Sequence, residues 1–182
     1  MKTISDHILD ISQNSVKASA NLIEIIVREV WNDDLYLLEI RDDGCGMTPE
    51  TAARAQEPFF TSRNTRKVGL GLPLLKQNAE QTGGSMEIRS ELGKGTTVMA
   101  QFGYSHIDRP ALGDMAGVFL LLAIGHPGTG FRYDHFTPEG AFSISTAELL
   151  EILGEVPLKT PEIMAGIREL ILTNLMEIKA TI

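Results

Sequence analysis

The sequence predicts an α/β (α+β) fold, with helices and strands interspersed along the chain. Three observations predict it. Ile4, Ile8, Ile11 and Val16 recur at helical spacing. An Ile- and Val-rich segment (21–31) and a second strand-like segment (35–41) flank Asn32-Asp33-Asp34, which reads as a turn between strands. A second strand pair flanks the Gly-containing turn Leu92-Gly93-Lys94-Gly95.

In order, residues 4–19 read as a helix with Ser5 as N-cap, and 21–31 and 35–41 as strands. A Gly-containing loop occupies 42–48. Thr48-Pro49 opens a short helix. Residues 57–72 lack a stable period and read as a long loop. Pro73 opens a helix that ends before Gly83-Gly84. Strands follow at 85–91 and 96–102. Beyond residue 104 the composition becomes more acidic, and the pattern reads helix (113–124), strand (131–136), strand (141–145), then helices at 146–153 and 161–179. This shift predicts two units, 1–104 and a small C-terminal α+β extension over 105–182.

Composition excludes several function classes. With 182 residues, 43% hydrophobic and 22% charged, the chain is an ordinary globular one. Its net charge of −8 argues against nucleic acid or an anionic membrane as partner. Cys45 is the only cysteine, so no internal disulfide forms and a reducing, cytoplasmic location is expected. The N-terminus has no apolar run of signal-peptide length, and Val118–Ile124 is too short to span a bilayer.

Four segments carry candidate chemistry. Asp10, Asn14 and Lys17 share one helix face, either a solvated polar face or a set suited to magnesium and phosphate. Asp42-Asp43-Gly44-Cys45-Gly46-Met47 follows a strand. It is either a plain Gly turn or a place where a flat ligand approaches the backbone and a carboxylate accepts an exocyclic amine. Lys67-Val68-Gly69-Leu70-Gly71-Leu72-Pro73 runs into a helix, whose free N–H groups suit phosphate; it is neither a Walker loop nor a dinucleotide fingerprint. Gly93-Lys94-Gly95-Thr96-Thr97, by itself, is a hairpin turn.

Together and in this order, the four resemble the family that unites histidine kinases, DNA gyrase, MutL mismatch-repair proteins and a large heat-shock chaperone, the GHKL ATPases. The resemblance runs over residues 4–103 and is nearest to the ATP-binding domain of histidine kinases. Glu57-Pro58-Phe59-Phe60-Thr61-Ser62-Arg63 resembles that group's phenylalanine box, and residues 69–98 its second glycine box with the following helix and strands.

The resemblance implies a two-layer sandwich of the Bergerat type, a mixed sheet with helices on one face, binding ATP with magnesium. It implies Asn14 as the magnesium ligand, Lys17 near the phosphates and Asp42 on the adenine amine. Gly44 and Gly46 would allow close approach, with Met47 packing nearby. Residues 57–68 would form a lid anchored by Phe59 and Phe60, with Arg63 and Lys67 reaching the terminal phosphate. Gly69, Leu70 and Gly71 would form the phosphate cradle, and Thr96 would join the adenine network.

Departures from the family pattern shape the expectation. Asp10 stands where hydrolysing members carry Glu and is the candidate base, one methylene shorter. Asp43 replaces Asn, and Lys67 replaces the first Gly of the lid exit. Few residues precede the first box, so the expected phospho-acceptor is a partner protein; an ATP-hydrolysing switch and a nucleotide-sensing module are the alternatives. His7 reads as a helix-surface residue rather than a phospho-acceptor. His106, His126 and His135 have no metal-ligand spacing and read as structural. The apolar helices of the tail pack on each other and on the main unit, and any exposed remainder offers a homodimer surface.

Overall fold

The computed structural model describes residues 1–55, 57 and 70–182. Helix α1 (Ile4–Lys17) buries Ile4, Ile8 and Ile11, as its period requires. Its cap is Thr3 rather than the expected Ser5. Thr3 accepts from the Asp6 N–H, and Asp6 reaches back to the Thr3 N–H in a capping box. Ser5 is instead buried in the first turn, 3.0 Å from the Thr3 hydroxyl.

Strands β1 (Leu22–Val30) and β2 (Leu35–Asp42) form an antiparallel pair closed at Val30↔Leu35. Helix α2 (Pro49–Arg54) starts at Pro49 with Thr48 as cap, as expected. Helix α3 (Gly71–Gln81) starts two residues before Pro73. Proline is tolerated there because first-turn N–H groups have no intrahelical acceptor. Strands β3 (Ser85–Glu91) and β4 (Gly95–Gly103) pair around the predicted turn.

The tail does not form a layer of its own. After helix α4 (Met115–Gly125), strand β5 (Gly130–Thr137) pairs in parallel with β1, from Leu22↔Gly130 to Arg28↔Phe136. Strand β6 (Gly140–Ser145) pairs with β5, and helices α5 (Thr146–Leu153) and α6 (Pro161–Glu177) complete the chain. The expected division at 104/105 therefore falls on a turn, and both halves share one mixed sheet of order β3-β4-β2-β1-β5-β6. The physical reason lies in β1. Ile25, Ile26 and Val27 are all buried, which marks an interior strand needing a neighbour on each side.

One row of side chains crosses all six strands: Ile88, Val98, Ile40, Ile25, Tyr133 and Ile144 stand in register. Helices α1, α3, α4 and α6 cover this face, and a single core cluster includes Ile8, Leu75, Phe119 and Ile171 from them. The opposite face carries Arg28, Arg41, Glu87 and Arg89 toward solvent.

At the far end of β1 a buried polar cluster ties down the C-terminus. The Glu29 carboxylate accepts from His135 Nε2 (3.0 Å), Trp31 Nε1 (3.2 Å), and both the Thr181 N–H (2.8 Å) and hydroxyl (2.9 Å). Burial alone would raise the Glu29 pKa, but these donors outweigh it and hold the carboxyl below its usual value. His135 also accepts from the Tyr133 hydroxyl and is fully buried, which makes it structural, as expected. Among the described residues no helix is long and apolar enough to cross a membrane.

Candidate nucleotide site

The alternation that places Ile25, Ile40 and Val98 on the helix-covered face also decides what stands two residues further along. In that row Asp42 faces Thr96, and Thr96 faces Ser90. The apolar face of the sheet thus turns polar where β2 ends and β4 begins, beside the last turn of α1.

Asp42 is held on both oxygens. Its Oδ1 accepts from the Gly44 N–H (3.0 Å) and the Thr96 N–H (3.2 Å), and its Oδ2 accepts from the Ser15 hydroxyl (2.6 Å). A carboxylate offers about four lone-pair positions, so about one remains on Oδ2. Ser90 organises the neighbouring edge. Its hydroxyl donates to the Gly95 carbonyl (3.0 Å) and accepts from the Met47 N–H (2.8 Å). The single Ser90 hydrogen is thereby used, so in the 2.9 Å Ser90–Thr96 contact Thr96 is the donor. Thr96 Oγ1 then has only lone pairs left. Asp42 and Thr96 together form an acceptor-only edge, suited to a ligand N–H donor.

The glycines of this region serve the protein's own packing first. A Cβ on Gly44 would lie 2.8 Å from the Ala18 carbonyl, and the adjacent Cys45 N–H donates to that oxygen. Gly95 has φ +99°, and a Cβ there would lie 1.9 Å from the Asp42 carbonyl. These contacts pin the loop after β2 between the end of α1 and the β3–β4 turn. Asp43, expected only as a substitute for Asn, anchors that loop from the other side: its Oδ1 accepts from the Asn21 (2.7 Å) and Leu22 (2.9 Å) N–H groups. These bonds, led by that from Leu22, hold its carboxyl below the usual value. Cys45 is exposed.

On α1, Asp10 is half-buried while Asn14 and Lys17 are exposed on the same side of the helix. Asp10 stands against the first residue of α3; a Cβ on Gly71 would lie 1.9 Å from its Oδ2. Leu70 is the N-cap of α3 and supplies no side-chain cap. Among the described residues no side chain caps the opening turn of α3, which lies next to Asp10. Phe59, Phe60, Arg63, Lys67 and Gly69, with most of the expected lid, lie outside the described residues.

His7 departs from expectation. It is fully buried rather than on the helix surface, with Nε2 accepting from Asn78 Nδ2 of α3 (3.0 Å). Burial pushes its pKa down to about 4, so it is neutral at pH 7, and its full burial rather than its charge state argues against a phospho-acceptor role.

The sequence reading overlooked Ser15 and Ser90. For Ser15 a signal was present: it continues the stripe of Ile4, Ile8 and Ile11, and a hydroxyl there needs a partner across the core. Ser90 becomes meaningful only once the register pairs it with Thr96.

Among the described residues no three His, Cys, Asp or Glu side chains group as a metal site. Any cation here would rest on few protein ligands.

Comparison with known proteins agrees with this geometry. The family model described as "Histidine kinase-, DNA gyrase B-, and HSP90-like ATPase" matches residues 3–105. The chain is 35% identical over 80 residues to the sensor kinase CckA of Brucella abortus (strain 2308), covering 43% of this chain and 8% of that protein. It is 36% identical over 85 residues to the histidine protein kinase SaeS of Staphylococcus epidermidis (strain ATCC 35984), covering 44% of this chain and 24% of that protein. The chain thus spans a quarter or less of these relatives' length. The N-terminal domain of a DNA repair protein superposes with a TM-score of 0.56 at 17% identity, covering 80% of this chain and 53% of that one. That coverage is more than residues 1–105 alone could supply, so the likeness in fold extends past residue 105. The sheet with its helix layer, the ordered carboxylate at the end of β2 and the matched segment agree: the chain belongs to the histidine kinase-, DNA gyrase B- and HSP90-like ATPase family.

Proposed function

We propose that this chain binds ATP with magnesium and transfers the terminal phosphoryl group to a side chain of a partner protein. The observation that carries the reading is the acceptor-only edge of Asp42 and Thr96, held by Ser15, Gly44 and Ser90. An adenine amine supplies the N–H donor that this edge lacks. Asn14, exposed one turn beyond Asp10 on α1, would be the protein's ligand to magnesium. Magnesium bound to nucleotide takes most of its other ligands from phosphate and water, which fits the sparse protein donors. Gly69, Leu70 and Gly71 would meet the phosphates at the start of α3. Arg63 and Lys67 would neutralise the terminal phosphate, and Phe59 and Phe60 would anchor the lid.

Kinase-type transfer is supported by the relatives, named as sensor and histidine kinases. Catalysis of this kind is mainly positioning and charge neutralisation. Binding and turnover of ATP, measured together with and without magnesium, test it, with Asn14→Ala as control. A radiolabelled partner in extract is the expected result. ATP binding that is indifferent to magnesium and to Asn14→Ala would overturn it.

A second reading is an ATP-hydrolysing switch. It is favoured by the place of Asp10, whose carboxylate lies against Gly71 at the head of α3, where it could orient water. Hydrolysis without a partner, abolished by Asp10→Asn while binding persists, would select it. Nucleotide-dependent partner binding without turnover would select a sensing role.

A further inference from the structure

Two contacts join α1 to α3. At one, Asp10 abuts Gly71; at the other, His7 accepts from the Asn78 amide over 3.0 Å. They are seven residues apart on α3, about 10 Å along its axis. The first is a close approach at the head of the helix by the end of a flexible side chain. The second is directional. The buried Leu75 between them adds apolar contact, which tolerates sliding.

His7 is an expensive way to fill this space. It is fully buried, and because Nε2 accepts, Nδ1 carries the hydrogen and has no partner among the described residues. A leucine of similar volume would bury no orphan N–H. What the imidazole adds is a directional bond to α3. Its neutrality, enforced by burial, keeps Nε2 available as the acceptor.

We propose that His7 and Asn78 are positioning residues that set the register of α3 on α1, and through it the place of the phosphate-facing head of α3 relative to Asp10 and Asn14. The proposal rests on the ATP-binding reading. The adenine edge belongs to β2, β4 and Ser15, not to α3, so the bond matters for the phosphates and not for the base.

The test compares ATP with adenosine by calorimetric titration of the full chain with magnesium present. His7→Leu and Asn78→Leu are expected to weaken ATP roughly fivefold, about the worth of one hydrogen bond, with adenosine changed less than about twofold. His7→Gln, which returns an acceptor close to the place of Nε2, is expected to restore the ATP-to-adenosine ratio. A contact that only stabilises the fold would lower both ligands together. That result, or an unchanged ratio in both leucine variants, overturns the proposal. Should His7→Leu fail to fold, Asn78→Ala at the half-exposed end of the bond gives the same readout. A wild-type chain that binds neither ligand would overturn the ATP reading itself; binding of both with an unaltered ratio overturns only the positioning role.

Discussion

The Ser15 hydroxyl donates to the Asp42 carboxylate over 2.6 Å, joining the buried face of α1 to the last residue of β2. The bond orients an anionic acceptor and keeps one of its oxygens only partly occupied. Ser15→Ala removes the donor without changing the backbone. Adenosine and ATP are both expected to bind more than about tenfold more weakly, the net worth of a hydrogen bond to a charged group at its lower end. Calorimetry on both ligands checks this, and equal affinities in the two proteins would refute it.

Asp42 should discriminate at the base. Inosine triphosphate places a carbonyl where ATP carries an amine, so acceptor would face acceptor. It is expected to bind more weakly than ATP by about 1–3 kcal/mol, the cost of setting an acceptor against a half-buried carboxylate oxygen. Asp42→Asn supplies an amide donor and should narrow that difference. Competition titration with the two nucleotides measures it.

Gly71 and Gly95 should answer differently to alanine. At Gly71 the added methyl meets the end of the Asp10 side chain, which can swing away. Gly71→Ala is expected to leave the unfolding midpoint almost unchanged while reducing any turnover that depends on Asp10. At Gly95 the methyl meets the Asp42 carbonyl, with φ in the left-handed region. Gly95→Ala is expected to destabilise by about 1–3 kcal/mol. Thermal unfolding beside an ATPase assay separates the two.

His7 predicts an acid-sensitive stability. Its pKa is lowered from 6.5 to about 4 in the folded state, so between those values the unfolded chain binds more protons than the folded one. Stability attributable to His7 is therefore full above pH 6.5 and lost as pH falls toward 4, by at most about 3 kcal/mol. His7→Gln lacks the titrating group, and its denaturant-unfolding free energy should fall less over that window. Parallel slopes in the two proteins would contradict the assignment.

A fragment ending at residue 104 should not fold as a soluble monomer. It would leave β1 an edge strand with Ile25, Ile26 and Val27 lacking the β5 ladder, and α1 without α4. Circular dichroism and sedimentation of residues 1–104 beside the full chain check this. A monomeric fragment with native-like unfolding would show that the two halves fold independently.

Much of the fold was legible because it is local. The period of α1, the hairpin of β1 and β2, the Thr48 cap and the β3–β4 turn each follow from residues a few positions apart. The order of the motifs carried the resemblance from which the candidate nucleotide site is drawn; taken singly, the segments of Asp42 and Thr96 read equally as turns. The lid residues could be read from sequence but fall outside the described residues.

What the linear pattern could not supply depends on partners distant in the chain. The parallel pairing of β1 with β5 joins residues more than a hundred positions apart, and a composition shift at residue 104 points the wrong way. The hydrogen-bond partner of His7, Asn78, lies on another helix. The role of Ser90 is decided by register, because one step of slip would turn it to the opposite face. Motif order, through the family resemblance, thus pointed to the end of β2 as the candidate nucleotide site. Only the tertiary structure decided which hydroxyls hold its carboxylate, because hydrogen bonds are directional and their geometry exists only after the sheet has chosen its register.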